Sequence, residues 1–106
     1  MNTSVYAVYF SGPDDYELAK AIEPTARVAT SALHSAVVMR MEVFSWHDDE
    51  SYRLLIDATS RAGRTLLRIF TAMLEHEIGT ENFTACPAFE RDANRVDEWK
   101  QYGCAG

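Results

Sequence analysis

Four arginines lie on one side of the helix that the sequence predicts between residues 50 and 77. They are Arg53, Arg61, Arg64 and Arg68, four of the ten basic residues of the chain. At about 100° per residue, all four fall within an arc of about 80°. A guanidinium group binds phosphates and carboxylates in a bidentate manner and stacks on planar rings. This arginine stripe therefore indicates a surface for an anionic partner.

Tyr52 directly precedes the arginine stripe and is the nearest aromatic ring. Guanidinium groups and aromatic rings both stack on unpaired bases, so the combination favours single-stranded nucleic acid. A structural role is the alternative, in which the arginines form ion pairs with Asp57 and with acidic residues of neighbouring helices. Both interpretations fit the sequence.

The three histidines, His34, His47 and His76, are isolated from one another. None has a histidine or cysteine at the spacing of three or four residues that a helical metal site uses. The sequence also contains no glycine-rich phosphate loop, nucleophile elbow or Cys-x-x-Cys pair. We therefore expect no metal, no cofactor, no catalytic residue and no small-molecule substrate. The protein is expected to act by binding a partner and not as an enzyme.

The densest acidic group is Asp48-Asp49-Glu50. Its place before the predicted third helix favours a helix cap, because carboxylates stabilise the free N–H groups of a first turn. An acidic surface that mimics DNA is the alternative interpretation.

The chain has 16 acidic and 10 basic residues, which give a formal net charge of -6. This charge disfavours general affinity for duplex DNA or for anionic membranes. The first residues lack the basic segment of a signal peptide, and no apolar run approaches the roughly 18 residues of a membrane span. A cytoplasmic protein without membrane contact is expected.

Four helical segments are predicted within one domain that spans residues 1–106. Prolines, glycines and acidic groups set their bounds: about Pro13 to Glu23, Pro24 to Trp46, Glu50 to Glu77 or Ile78, and Pro87 to Gly103. The apolar run Val5–Phe10 has no evident second strand to pair with, so residues 1–11 are predicted as an extended N-terminal arm that packs on the helices or forms a dimer contact. The expected fold is all-α, a single-domain helical bundle with that short arm.

The last of these predicted segments ends in Asp97-Glu98-Trp99-Lys100-Gln101-Tyr102-Gly103. As a short, acidic, helical chain without enzymatic motifs, it resembles the small anti-CRISPR proteins of phages and mobile elements, in particular the type I-E inhibitors. The resemblance extends over the full length but includes no signature motif, so it transfers no functional residue. It implies a host-virus interaction in the host cytoplasm, namely interference with an RNA-guided surveillance complex that exposes a displaced DNA strand.

Three functions remain open on the sequence. The first is a non-enzymatic inhibitor of a CRISPR-Cas surveillance complex, which binds the single-stranded DNA of the R-loop or the complex surface through the arginine stripe and Tyr52. The second is an acidic DNA mimic, or an immunity or antitoxin protein, that covers a basic site on a protein partner. The third, a helical bundle that binds a small molecule or acts as an enzyme, requires an internal polar cluster, and the sequence reveals none.

Overall fold

Strands and helices alternate along residues 4–88, which are the residues that the computed structural model describes. The elements are β1 (Val5–Phe10), α1 (Pro13–His34), α2 (Ala36–Glu42), β2 (Ser45–Asp48), β3 (Arg53–Asp57), α3 (Arg61–Glu77), a 3-10 turn (Thr80–Asn82) and β4 (Phe83–Pro87). The four strands form one antiparallel sheet in the order β2-β3-β1-β4. This connectivity, two interleaved β-α-β units in one sheet, is the ferredoxin-like arrangement.

The prediction of an all-α bundle is wrong, because the described residues contain this four-stranded sheet. The run Arg53–Asp57 was expected in a helix and forms β3. Its central residues are buried whichever face of the sheet they lie on, so the run lacks the alternation of a half-exposed strand. Periodicity cannot distinguish such a short apolar run from a buried helical segment. The predicted N-terminal arm is the inner strand β1, which pairs with β3 and β4.

The helical bounds are right in part. α1 begins at Pro13 as predicted, but it continues through Pro24 to His34. Pro24 is exposed, so water can bind the carbonyl group that loses its helical N–H partner, while buried Ile22 and Ala26 hold the helix on both sides. α3 ends at Glu77, and Gly79 follows with a φ of 87°, which confirms the predicted glycine stop.

The last predicted helix, Pro87 to Gly103, falls almost entirely outside the described residues. Pro87 itself belongs to β4. Cys86 precedes it in the same strand as a free thiol.

Both faces of the sheet carry apolar side chains. Val8, Leu54 and Ile56 lie on the face toward the helices, where they pack with Tyr16 and Phe70. The opposite face carries a second cluster of buried residues, formed by Val5, Ala7, Trp46 and Leu55. The sheet is therefore an apolar layer on both sides.

Hydrogen bonds define two ends of the fold. At one end, Phe10 N donates to Tyr52 O at 3.3 Å and Ser11 N donates to Asn82 O at 3.2 Å, which joins the start of α1, the β2–β3 turn and the 3-10 turn. At the opposite end, Ala58 N donates to Ser4 O at 2.7 Å, close to the start of α3.

The start of α3 is fixed by a cap and by a close approach to β3. The Oγ of Ser60 accepts a hydrogen bond from Gly63 N at 2.9 Å and donates one to Glu42 O, also at 2.9 Å. The predicted cap at Asp48-Asp49-Glu50 is therefore wrong, and Ser60 takes its place. A Cβ atom at Gly63 would lie 2.2 Å from the backbone oxygen of Asp57. Because backbone cannot yield as a flexible side chain can, only glycine fits here.

Replacing Gly63 by alanine tests the close contact between Gly63 and the backbone of Asp57. We expect Gly63→Ala to lower the free energy of unfolding by about 1–3 kcal/mol, the range for overpacking a tight site. Gly12→Ala is the matched control, because a Cβ atom at Gly12 meets nothing within 4 Å and its φ of -168° suits any residue. The control should change stability by no more than about 0.5 kcal/mol. Urea unfolding followed by circular dichroism measures both variants, and equal stabilities would contradict the packing.

Candidate nucleic-acid interface

Three of the predicted site residues do lie together on one helix. Arg61, Arg64 and Arg68, called the α3 arginines below, occupy the first turns of α3 at helical spacing, and all three are exposed. Within residues 4–88, none of them forms an ion pair. Asp57, the expected partner, instead accepts hydrogen bonds from the N–H and the hydroxyl of Thr59, at 2.9 and 2.6 Å. For these three arginines, the predicted structural role in ion pairs is therefore not found among the described residues.

The position of Arg61 is unfavourable for the helix itself. The first turn of α3 contains no acidic residue, and the N-terminus of a helix carries a positive partial charge that repels cations. Helix stability therefore does not account for an arginine in the first turn. An anion bound there would interact favourably with the helix dipole and with the guanidinium groups together.

A groove of about 390 Å³ lies beside the α3 arginines, between α3 and β1. Its lining residues are Ser4, Tyr6, Ala58, Arg64, Leu67 and Arg68. Arg64 Nη1 donates to Thr59 O at 2.9 Å, which holds the guanidinium group at the edge of the groove. The volume falls within the usual range for small-ligand sites, about 300–1,000 Å³. The groove thus combines two guanidinium groups, a phenol ring and an apolar wall.

Tyr6 is the residue that sequence reasoning missed. Its ring was assigned to an arm with no defined face, whereas in β1 it shares the helix-facing side with Val8 and Phe10. Successive side chains of a strand point to opposite faces of the sheet, so a strand at Val5–Phe10 places Tyr6 on the same face as Val8 and Phe10. This strand was not predicted from the sequence because its partner strand Arg53–Asp57 was not identified.

Arg53 does not belong with the α3 arginines. It lies in β3, where its Nε donates to Asp48 Oδ2 at 2.8 Å. Its guanidinium carbon lies 5.8 Å from the centre of the Tyr9 ring, and its side chain is only 12% exposed. The predicted stripe of four is thus wrong at this residue, which has a structural role on the opposite face of the sheet.

Tyr52 is also separated from the α3 arginines. It lies in the β2–β3 turn with a φ of 51°, at the opposite end of the fold. Its ring centre is 5.9 Å from that of Tyr16. The structure therefore does not bring Tyr52 to the groove.

Acidic and basic residues are segregated between the two ends. The end with the β2–β3 turn carries most of the described carboxylates: Asp14, Asp15, Glu17, Asp48, Asp49, Glu50, Glu75, Glu77 and Glu81. The opposite end carries the α3 arginines and Arg40, and Glu42 is the exposed acidic residue described there. Among the described residues of this acidic chain, one end is thus positively charged.

Two carboxylates of the β2–β3 turn are engaged within the chain. Asp49 accepts hydrogen bonds from the Tyr16 hydroxyl at 2.5 Å and from Lys20 Nζ at 3.1 Å, and these lower its pKa, the first more than the second. Burial raises the pKa of Asp48, but the hydrogen bond and charge of Arg53 outweigh burial, so the net shift is downward. For Tyr16, burial first and then Asp49 raise the pKa of the phenol well above its usual value.

Comparisons with protein-family models, with curated proteins and with solved structures find no match for this chain. Within residues 4–88, no group of histidine, cysteine, aspartate and glutamate side chains is arranged to hold a metal ion. In the same part of the chain, no helix is both long enough and apolar enough to cross a membrane.

The bond between Tyr16 and Asp49 gives a pH-dependent prediction. Tyr16→Phe removes the hydroxyl that is the largest cause of the lowered pKa of Asp49, so this pKa should rise toward its usual value. A carboxyl group with a lowered folded-state pKa stabilises the fold above its unfolded-state pKa and loses this effect as the pH falls through the folded value. The variant should therefore be less stable than the parent at pH 7, and the difference should shrink below about pH 4.

Urea unfolding at both pH values, with carboxyl titration by NMR, measures these effects. Tyr52→Phe is the matched control, because the neighbouring Tyr52 hydroxyl makes no hydrogen bond within the described residues. A stability difference between parent and Tyr16→Phe that is the same at pH 7 and pH 3 would contradict this role.

Proposed function

We propose that the protein binds single-stranded nucleic acid, without turnover, through the groove of Tyr6, Arg64 and Arg68, with Arg61 beside it. The observation that carries this proposal is the set of three exposed arginines, unpaired within residues 4–88, beside an aromatic ring at the positive end of an acidic chain. Arg64 and Arg68 contact phosphate oxygens, and the Tyr6 ring and Leu67 contact a base.

Single strands suit this groove better than a duplex. The bases of a duplex are stacked on one another and cannot reach the ring of Tyr6, whereas an unpaired base can. The net charge of -6 opposes general attraction to a highly charged duplex, so binding has to depend on local contacts. Affinity should therefore be sensitive to single substitutions in the groove.

Inhibition of a CRISPR-Cas surveillance complex in the host cytoplasm is the biological role we propose for this binding. The displaced strand of an R-loop supplies unpaired DNA of the required kind. Support for this role comes from the resemblance to the anti-CRISPR proteins and from the acidic charge that is part of it. The all-helical character that was part of the resemblance does not hold, since the described residues include a sheet.

The acidic end favours a second candidate function. The carboxylates gathered there, among them Asp14, Glu17 and Glu50, offer a surface for a basic site on a protein partner. In that case the protein acts as a DNA mimic or as an immunity or antitoxin protein, and the groove is not required.

The arginines of the groove should determine the salt dependence of binding. We expect Arg64→Ala/Arg68→Ala to weaken binding to an oligothymidylate of about 15 nucleotides and to lower the logarithmic salt slope by about 1.4, since each phosphate contact to a single strand contributes roughly 0.7. Fluorescence anisotropy over a salt series measures this. Ala21→Glu/Ala29→Glu, at two exposed positions of α1, changes the net charge equally and should leave the slope unaltered. Equal slopes in the parent and in the arginine variant would contradict the phosphate contacts.

The ring of Tyr6 should contribute affinity without salt dependence. We expect Tyr6→Leu to weaken binding to the same oligonucleotide by about 5- to 150-fold, which corresponds to the roughly 1–3 kcal/mol of one base stacked on an aromatic ring. The salt slope should stay at the parental value. Tyr6→Phe keeps the ring and should bind as the parent does, which separates stacking from a loss of folding. Parental affinity in a folded Tyr6→Leu variant would exclude the ring from the interface.

A pull-down with the assembled surveillance complex, before and after it has bound target DNA, separates the two candidate functions. Capture only after target binding, lost in Arg64→Ala/Arg68→Ala, supports binding to the displaced strand. Capture that persists in this variant but is lost in Asp14→Lys/Glu17→Lys/Glu50→Lys supports the acidic surface instead.

A further inference from the structure

A polar cluster around one buried carboxylate of the helical layer is not used by the groove. Glu23, in the middle of α1, is 5% exposed. Its Oε2 accepts hydrogen bonds from Arg27 Nε at 2.7 Å and from Ser45 Oγ at 2.8 Å. Arg27 Nη2 in turn donates to Ser45 Oγ at 2.7 Å. This is the internal polar cluster that a small-molecule site requires and that the sequence did not reveal.

Fold stability alone gives a poor account of this cluster. The buried Glu23 carboxylate loses its hydration, and its attraction to Arg27, whose side chain is 31% exposed, only partly offsets this cost. The cluster ties α1 to the edge strand β2, a contact that apolar side chains could make. Binding of a ligand would give the pair of Glu23 and Arg27 a function in addition to fold stability.

A cavity of about 250 Å³ adjoins the cluster. Its walls comprise Glu23, Arg27, Met39, Arg40, Val43, Phe44, Ser45 and His47, from α1, α2 and β2. This volume lies slightly below the usual range for drug-sized ligands, about 300–1,000 Å³, so the cavity suits one small metabolite. It shares no lining residue with the groove beside α3.

The cavity presents groups that are free to bind a ligand. Arg40 makes no hydrogen bond or ion pair with any residue of the 4–88 range. Both bonds to Glu23 end at Oε2, which leaves Oε1 to accept from a ligand. Two guanidinium groups and one carboxylate therefore face the same space. The complementary ligand carries two negative charges and one positive charge.

We propose that this cavity binds an acidic amino acid, aspartate or glutamate. The two carboxylates of the ligand contact Arg27 and Arg40, and its ammonium group donates to Glu23. Ser45 and Glu23 hold the Arg27 guanidinium group in position, and Met39 and Val43 contact the carbon chain of the ligand. The site is independent of nucleic-acid binding.

Isothermal titration calorimetry with L-aspartate and L-glutamate tests the proposal. We expect saturable binding of at least one of them, and binding at least tenfold weaker for succinate and glutarate, which have the same carboxylates but no ammonium group. The absence of saturable binding for both amino acids overturns the proposal. Equal binding of the dicarboxylates overturns it as well, because Glu23 would then have no part in recognition.

Arg40→Ala is the decisive variant, since this exposed side chain has no described partner and its loss should leave the fold intact. We expect at least a tenfold loss of amino-acid affinity. Met41→Ala, at the exposed neighbouring position outside the cavity, should bind as the parent does. Glu23→Gln keeps the size of the side chain and should remove the preference for amino acids over dicarboxylates. Parental affinity in a folded Arg40→Ala variant refutes the proposal, whether or not Glu23→Gln folds.

Discussion

β1 and β3 pair antiparallel in the middle of the sheet, and this pairing positions both the core and the groove. β1 lies between β3 and β4, so both β-α-β units require it to complete the sheet. The register of the pair, with Ala7 opposite Leu55, places apolar residues of both strands on each face. Because a shift by one residue would exchange the faces of every side chain, this register also decides that Tyr6 lies toward α3. The register of β1 and β3 therefore determines the position of both the groove and the core.

The sequence predicted local features well and long-range pairing badly. The start of α1 at Pro13 and the end of α3 before Gly79 were predictable, because proline and glycine act through their own backbone geometry. The strand Arg53–Asp57 was not, because its partner Val5–Phe10 lies more than forty residues away and nothing local marks the pairing. A run buried on both faces carries neither the strand period nor the helix period.

The candidate site was likewise predictable only where its residues are close to one another in the sequence. Arg61, Arg64 and Arg68 share a face because they are close in sequence within a real helix, so helical spacing applied to them correctly. Arg53 was assigned to the same face by extending that helix backward across Thr59 and Ser60, two hydroxyl residues that favour a helix start. Tyr6, Glu23 and Ser45 reach their sites through sheet pairing and helix packing. Single-sequence periodicity has no access to such contacts.

The segregation of charge explains how an acidic chain can present a site for anions. Along α3, at a rise of about 1.5 Å per residue, Glu77 lies about 20 Å from Arg64 and Glu75 lies about 10 Å from Arg68. The screening length at physiological ionic strength is about 8 Å, so the carboxylates of the far end are largely screened from Arg64 and are weakened in their effect on Arg68. The neighbouring carboxylate of Asp57 is 2% exposed and engaged with Thr59, whereas the α3 arginines are exposed to solvent. A ligand at the groove therefore interacts mainly with the local guanidinium groups, and the net charge of the whole chain acts mainly on its approach from a distance.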